Sequence, residues 1–421
     1  MKTKKPTFQS VKGMHDILPQ DQLVWDKMRQ TFKNVVEHYN FSRIDTPILE
    51  KADLFTKGVG QNTDIVEKQM FSFETSGKEI LALRPENTAS IARAYIQHGL
   101  SRLGQPLKLY YLGPMFRHEN PQEGRYRQFY QAGVEILGGD SDAIYDAQSI
   151  LVMHRVLEEL KLGKLNVQIN TIGCRVCRPL YRKKLQAFYK NKAVCKNCKA
   201  RSITNPLRLL DCKEKECQVV KKDAPTVLDS ICSYCNSHFR LVLEYLDELK
   251  LSYTLNNNLV RGLDYYNKTV FEVFVDGLDF ALAGGGRYDY LLESLGGRHT
   301  PAVGWSMGLE RILLAIQKNN ITFSEKPKAN VFFVHMGDEA KKKSLSLIES
   351  LRQGKIQVKE SLGKDSLRSQ LRMADRVGAK LALIFGQKEA FEDSIIIRDL
   401  ETGAQETVLI SKLVEEVKKR V

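Results

Sequence analysis

Nowhere in its 421 residues does the chain approach the roughly 18 consecutive apolar residues that a membrane helix needs. No membrane association is therefore expected. The opening, MKTKKPTFQS, is basic and lacks the apolar stretch of a secretory leader. The expected location is the cytoplasm. In such a setting structural disulfides are not expected. There is no internal repeat and no low-complexity tract, which excludes solenoids and disordered tails as the main architecture. The Gly triplet at 284–286 has no trailing Lys-Ser/Thr, so it is not a P-loop, and no dinucleotide fingerprint fits it.

What is present suits a globular protein of two or three domains. Apolar residues make up 43% and charged residues 27%. The net charge is +14, and its placement is informative. Residues 171–235 carry 15 Lys/Arg against 5 Asp/Glu, and the stretch from 326 onward has a smaller basic excess. A near-neutral body with two basic segments suits a polyanionic partner. Excess lysine serving solubility accounts for the charge equally well.

All eight cysteines fall inside that first basic segment, in four pairs: Cys174/Cys177, Cys195/Cys198, Cys212/Cys217 and Cys232/Cys235. Three pairs are C-x-x-C, a spacing that puts two thiolates on one tetrahedral metal. Two zinc sites of four cysteines each are the expectation, with reduced, metal-free cysteines as the alternative. Which pair joins which is not readable.

A first amphipathic helix is expected over residues 22–39. Leu23, Met28, Phe32, Val35 and Val36 share one face, and Asp21 is placed to cap it. Residues 41–49 read as extended. Strands at 107–112 and 129–137, separated by a polar loop, make an antiparallel hairpin. Residues 143–160 and 241–249 read as helical. Strands are expected at 269–275 and 279–283, joined by a turn at Asp276-Gly277. Residues 303–316 read as a strand or loop entering an apolar helix, and 319–328 as a linker. Beyond it, buried strands at 331–334, 356–358 and 381–385 alternate with helices at 341–351 and 365–377. That alternation predicts a small α/β domain with a parallel or mixed sheet.

Several short pieces carry chemistry. Arg117 ends the first hairpin strand, Arg125 lies in the tip, and Phe129 opens the return strand. A strand-borne Arg facing a pocket holds a phosphate bidentately, and an adjacent ring offers a face to a nucleobase. Gln131 and Glu135 project to the same side as Phe129, which suits a polar or cationic ligand. An exposed hairpin of mixed charge explains the pattern equally well. In LRPENT, residues 83–88, Glu86 is placed to accept an ammonium group and Thr88 to cap the next helix; a plain capping element fits too. In RGLDYY, residues 261–266, Arg261 precedes a glycine that permits close approach, and Tyr265 and Tyr266 offer hydroxyls. In AGGGRYD, residues 283–289, the glycines make room for a substrate against a sheet. GLER, residues 308–311, puts Arg311 at the start of an apolar helix, where it can stack on a base.

In this order these pieces resemble the three defining motifs of the class II aminoacyl-tRNA synthetases: FSRIDTPILE with Pro47, FRHE through RQFYQAGVEILG, and GLER. RGLDYY and AGGGRYD are similar to two signatures of the histidyl-tRNA synthetase family, as KGMHDILP is to its start. The resemblance spans essentially the whole chain. It implies an α+β catalytic domain over 1–325, with an antiparallel sheet of six or seven strands flanked by helices. A Cys-rich insertion at 171–238 would interrupt it, and an α/β anticodon-binding domain would occupy 327–421. A homodimer would form through the first motif.

The implied activity is histidine–tRNA ligation: L-histidine is activated by ATP with Mg2+, then transferred to the 3′ end of tRNA(His). Arg117 would bind the α-phosphate, Phe129 and Arg311 would sandwich adenine, and Arg125 would reach the outer phosphates. Glu86, Thr88, Gln131, Glu135, Tyr265, Tyr266 and Tyr288 would surround the histidine. Arg261 would lie against its carboxylate and the α-phosphate. Lys364, Arg368, Arg372 and Arg376 recur every four residues, a stripe that either meets tRNA or is simply solvated. Asn87 departs from the family pattern, where many relatives carry Gly or another residue. Two rivals are a non-catalytic regulatory paralogue serving ATP phosphoribosyltransferase, and an RNA-binding module without turnover. The paralogue typically lacks the C-terminal domain and degrades the histidine signatures.

Overall fold

The computed structural model describes residues 8–61, 63–323, 330–363 and 366–421. They divide into two compact units, Met1–Phe323 and Ser324–Val421. Among the described residues no helix is long and apolar enough to cross a membrane.

The first unit is built on eight strands. Their spatial order is Ser42–Arg43, Leu107–Phe116, Gln128–Leu137, Ala302–Gly308, Ala283–Arg287, Asn267–Val275, Leu165–Thr171 and Tyr253–Leu255. The six inner strands are mutually antiparallel. Both edge strands run parallel to their neighbours, so the expected antiparallel sheet is mixed. Parallel pairing needs a long crossover. The chain between 43 and 107 supplies one, and the chain between 171 and 253, which contains the insertion, the other.

The expected hairpin is the longest pairing, ten residues from Leu107↔Leu137 to Phe116↔Gln128. The expected strand at 279–283 is displaced. Residues 279–282 bend, and the strand is Ala283–Arg287, glycines included. The triplet does not border the sheet; it is the sheet. A Cβ on Gly285 would run into the Gly304 carbonyl, so only glycine fits there.

The helix Gln22–His38 buries Trp25, Met28, Phe32, Val35 and Val36 against one sheet face, with Ala143–Glu159 and Leu309–Lys318 beside it. Each such large apolar side chain contributes roughly 1.5–3 kcal/mol on full burial. Leu23 is only half-buried, and Asp21 makes no side-chain cap bond, its own backbone being helical already. On the opposite face lies Thr88–Gln97, with Ile91 and Tyr95 buried. The same cluster takes Tyr181, Leu185, Tyr189 and Leu207 from the insertion, whose helices are Cys177–Tyr189, Lys196–Thr204, Lys215–Lys221 and the start of Ser233–Glu248. A small antiparallel sheet, ordered Leu49–Lys51, Ile80–Leu83, Ser72–Glu74, completes the unit.

The second unit is a five-stranded mixed sheet, ordered Val358–Glu360, Val331–His335, Leu381–Phe385, Ser394–Asp399, Gln405–Leu409. The first three strands are parallel and the last two antiparallel. Asp338–Gln353 and Leu413–Lys418 cover one face and Leu367–Arg376 the other. The last helix is capped by Ser366, whose hydroxyl accepts from the Ser369 N–H. The first strand and Leu381–Phe385 stand where expected. The strand expected at 356–358 lies two residues later, and Asp365, its helix's expected first residue, lies outside the described residues.

Candidate active site

A cleft with about 940 Å3 of open space lies over the central strands of the first unit. Its wall includes Glu86, Thr88, Arg117, Arg125, Phe129, Gln131, Arg261, Tyr265, Tyr266 and Arg311. Ten of the twelve residues expected in the catalytic site therefore meet in one cavity. The other two, Glu135 and Tyr288, lie buried behind the wall rather than on it.

One end is carboxylate and hydroxyl. The N–H groups of Thr88 and Ala89 both donate to the Glu86 carboxylate at 2.8 Å. Glu86, not Thr88, thus caps the Thr88–Gln97 helix, where a negative group also gains from the helix dipole. The Thr88 hydroxyl donates instead to Glu135 at 2.7 Å. Burial raises the Glu86 carboxyl pKa, and those N–H donors oppose the rise. Burial also pushes Glu135 up to about 8, against the hydroxyls of Tyr288 and Thr88, which both donate to it. Tyr265 directs its hydroxyl at Glu86, 3.4 Å away, and its ring lies 4.6 Å from Tyr266 and 5.6 Å from Tyr288. Gln131 accepts from the Tyr111 hydroxyl at 3.0 Å and donates to Ser306 at 2.9 Å. Its amide is thereby fixed in orientation.

The other end is cationic. Arg117 donates to the Pro85 carbonyl at 2.9 Å and lies 5.2 Å over the Phe129 ring. Burial lowers its pKa, as does repulsion from Arg261. Arg311 is fixed by the Ala281 and Gly124 carbonyls, at 2.9 and 3.2 Å, and lies over Phe280. Burial and the charges of Arg125 and Arg117 lower it. Arg261 donates to Glu272 and lies 5.7 Å over Tyr266. Burial pulls its pKa down, but Glu272 beside it wins and the guanidinium is held above its ordinary value. Space for Arg261 comes from Gly284, whose added Cβ would stand 2.6 Å from its Nη1. Four guanidiniums around one cleft form a ready site for polyphosphate.

Sequence reasoning missed Glu272, Tyr111, Ser306 and Glu310. Glu310 accepts from the Tyr130 N–H at 2.8 Å and so ties the apolar helix to the hairpin. Glu272 had a readable signal, being the one charge in the strand TVFEVFV. Tyr111 and Ser306 gave none, since only the sheet register brings them to Gln131. Asn87, the departure noted above, accepts from Thr46 at 2.8 Å and Arg84 at 3.2 Å, which gives it a bracing role.

The cysteines sort into two groups. Cys174, Cys177, Cys232 and Cys235 meet where the two ends of the insertion come together, and Cys195, Cys198, Cys212 and Cys217 meet within it. All eight are free thiols, and the sulfurs of each group lie within 4.8 Å of one another. Cys174–Cys177, Cys177–Cys235 and Cys195–Cys212 are 3.6, 3.9 and 3.9 Å apart. A tetrahedral site with metal–sulfur bonds of ~2.3 Å has edges of about 3.8 Å. Both groups could hold a metal ion. In the second unit, Arg368, Arg372 and Arg376 are exposed along Leu367–Arg376, whereas Lys364 lies outside the described residues.

Comparison with known proteins bears directly on this geometry. A family profile described as histidyl-tRNA synthetase matches residues 13–312, and one described as an anticodon binding domain matches residues 328–420. A histidine–tRNA ligase of Dehalococcoides mccartyi is 42% identical over 98% of this chain and 100% of its own. One from Desulforamulus reducens is 42% identical over 97% and 98%. The crystal structure of apo S. aureus histidyl-tRNA synthetase superposes with a TM-score of 0.80 at 32% identity, covering 97% of this chain and 99% of that one. With likeness of this extent in both sequence and fold, the chain belongs to the histidyl-tRNA synthetase family.

Proposed function

We propose that this chain activates L-histidine with ATP and transfers it to the 3′ end of tRNA(His), using the cleft as its active site. The observation that carries the reading is one cavity with two chemically opposite ends. Glu86, Tyr265 and Gln131 suit an amino acid; Arg117, Arg125 and Arg261 suit a nucleotide's phosphates, and Arg311 its base.

Histidine enters with its ammonium toward Glu86 and its ring toward Gln131 and Tyr266. Thr88 lines that pocket, and Glu135 and Tyr288 support it from behind. Its carboxylate attacks the α-phosphorus in line, and pyrophosphate leaves. Both reactants are anionic. Arg117 and Arg261 offset that repulsion and stabilise the charge gathering on the five-coordinate phosphorus. Phe129 and Arg311 sandwich the adenine, and Arg125 reaches the outer phosphates. Magnesium entering with ATP would supply further charge neutralisation on the phosphates. The carboxylate is already ionised, so this step needs no general base. Holding both substrates in register removes much of the entropic barrier. In the second step the 3′-hydroxyl of the terminal ribose attacks the adenylate carbonyl and AMP leaves. A site that bonds the imidazole N–H groups rejects other amino acids better than an apolar pocket does.

We assign 1–325 to catalysis, with the insertion at 171–238, and 327–421 to the anticodon. The stripe Arg368, Arg372 and Arg376 is the candidate tRNA contact, and its exposure supports that role. Each cysteine tetrad has the donor set and spacing of a closed zinc site. Metal analysis of purified protein should return two zinc ions per chain; none at all refutes the assignment. A cytoplasmic homodimer completes the reading. Exposed Ile48, Leu49, Phe73 and Ile80, on and beside the small sheet, support a partner surface there. Sedimentation showing only monomer at micromolar concentration removes it.

The test of function is ATP–pyrophosphate exchange. Exchange should depend on histidine and on no other amino acid. Its absence, with tRNA binding retained, would favour the RNA-binding module; its absence with no tRNA binding would favour the regulatory paralogue.

A further inference from the structure

The segment from Asn256 to Tyr266 has no regular secondary structure, yet it carries Arg261, Tyr265 and Tyr266 into the cleft. Irregular backbone at a buried site needs partners for its carbonyls. Asn170, on a sheet strand, donates to the carbonyls of Leu259 and Asn257 at 3.0 and 3.3 Å. The other end of the segment is held by the insertion. Arg178 donates through one nitrogen to the carbonyls of Tyr266 at 2.8 Å and Asp264 at 3.4 Å. Asn205, a full helix farther along the insertion, donates to the Asp264 carboxylate at 3.0 Å. These two residues bracket the Tyr-Tyr step from outside the cleft; neither lines it.

Arg178 is itself placed by the first cysteine tetrad. It follows Cys177 directly, and its N–H donates to the Cys174 carbonyl at 3.0 Å. Cys177 in turn accepts from the Cys232 N–H at 3.0 Å. A chain of short contacts therefore runs from the tetrad through Arg178 to the backbone that aims both tyrosines. The apolar cluster shared by Tyr181, Leu185, Tyr265 and Tyr266 stiffens the same path.

We propose that Arg178 is a positioning residue for the amino-acid site: from the insertion it pins the Asp264–Tyr266 turn so that Tyr265 and Tyr266 face the histidine. The inference rests on the histidine site assigned above. It gives the insertion a task in the first reaction step, before any tRNA is bound. A charged donor shared by two carbonyls contributes more than a neutral one, and Arg-to-Lys replacement keeps the charge but loses the rigid, planar guanidinium that aims one nitrogen at both carbonyls.

The experiment is ATP–pyrophosphate exchange by the full chain without tRNA, together with calorimetric titration of histidine. Arg178→Gln should raise the histidine KM and Kd about tenfold while kcat and the ATP KM stay within about twofold. Arg178→Lys should recover part of that loss. An unchanged histidine KM and Kd overturns the proposal, as does an equal fall in every parameter. Should Arg178→Gln fail to fold by circular dichroism, Asn205→Ala is measured in the same way. A histidine KM raised at least threefold supports the bracket, and an unchanged one overturns it. If the unaltered protein shows no histidine-dependent exchange, the assignment of the site itself has failed; if it does and the variants match it, only the bracket has.

Discussion

Arg287 ends the glycine strand and Arg261 packs against it, and the two are treated in opposite ways. Arg287 is 1% exposed and donates to Asp146, Asp289 and the Asp142 carbonyl. Lys268 closes on Asp289 at 2.9 Å and His238 on Asp146 at 3.5 Å. Every charge in that cluster faces an opposite one. In the cleft the matching is incomplete. Arg261 has Glu272 and Arg125 has Glu119, but among the described residues no carboxylate lies in ion-pair reach of Arg117 or Arg311. Buried charge that is matched ties the strand to the Ala143–Glu159 helix and the insertion. Half-buried guanidiniums without an ion-pair partner suit an anionic ligand. The AGGGRYD segment serves both ends, with Arg287 in the frame and Tyr288 behind the pocket.

The sharpest way to break this contrast is Arg287→Met. It leaves Asp146 and Asp289 buried with too little counter-charge, a loss of about 3–5 kcal/mol. The urea midpoint of the first unit should fall steeply; a shift no larger than that of an exposed Arg would break the comparison. Arg261→Ala should do the reverse, sparing the fold but cutting histidine-dependent exchange about 100- to 1,000-fold. Affinity for tRNA should stay nearly intact. Unchanged exchange refutes the role assigned to Arg261.

The two clusters also titrate in opposite senses. Burial alone would raise Asp146 and Asp289, but Arg287 beside both carboxylates holds them below their ordinary value of 3.8. Their stabilisation is present above that value and is lost as pH falls. Glu135 is held up, at about 8 against an ordinary 4.5. The folded chain keeps a proton there that the unfolded chain gives up. That contribution is complete below about 4.5 and is lost as pH rises through about 8. Urea midpoints measured across pH should therefore decline from pH 4.5 to 8, and Glu135→Gln should flatten the decline. A slope that survives the substitution means that another group is responsible. The smallest effect is expected at the exposed stripe. Arg372→Glu should weaken tRNA binding roughly threefold and only at low salt, with exchange unaltered. No change at any salt concentration assigns that face to solvent.

Local pattern carried much of this structure. The hairpin, the first helix and the α/β alternation after residue 330 all follow from side chains a few positions apart. The site was legible for a different reason: Arg117, Arg261 and Arg311 stand in segments that resemble family motifs. What could not be read depends on partners distant in sequence. Thr88 reads as a cap, but Glu135, 47 residues away, claims its hydroxyl and leaves the cap to Glu86. The glycine triplet reads as space for a ligand; Gly284 does line the cleft and makes room for Arg261, whereas at Gly285 Trp305 and Gly304 on the next strand fill that space. The pairing of the cysteine pairs is a matter of tertiary folding, since Cys174 and Cys235 meet only when both ends of the insertion return to the same place.

Those glycines have a practical consequence for redesign. An added Cβ at Gly133 would stand 2.7 Å from the Tyr111 hydroxyl, and one at Gly284 would displace the Arg261 guanidinium. Under the proposed amino-acid site, Gly284 at the cleft surface and Gly133 beneath it offer no methyl group to shave away and no room to add one. An engineer seeking a synthetase for a bulkier or unnatural amino acid gains nothing from randomising those glycines. Libraries belong on the removable walls, at Gln131, Tyr265 and Tyr266, where trimming a side chain enlarges the chamber without splitting the sheet.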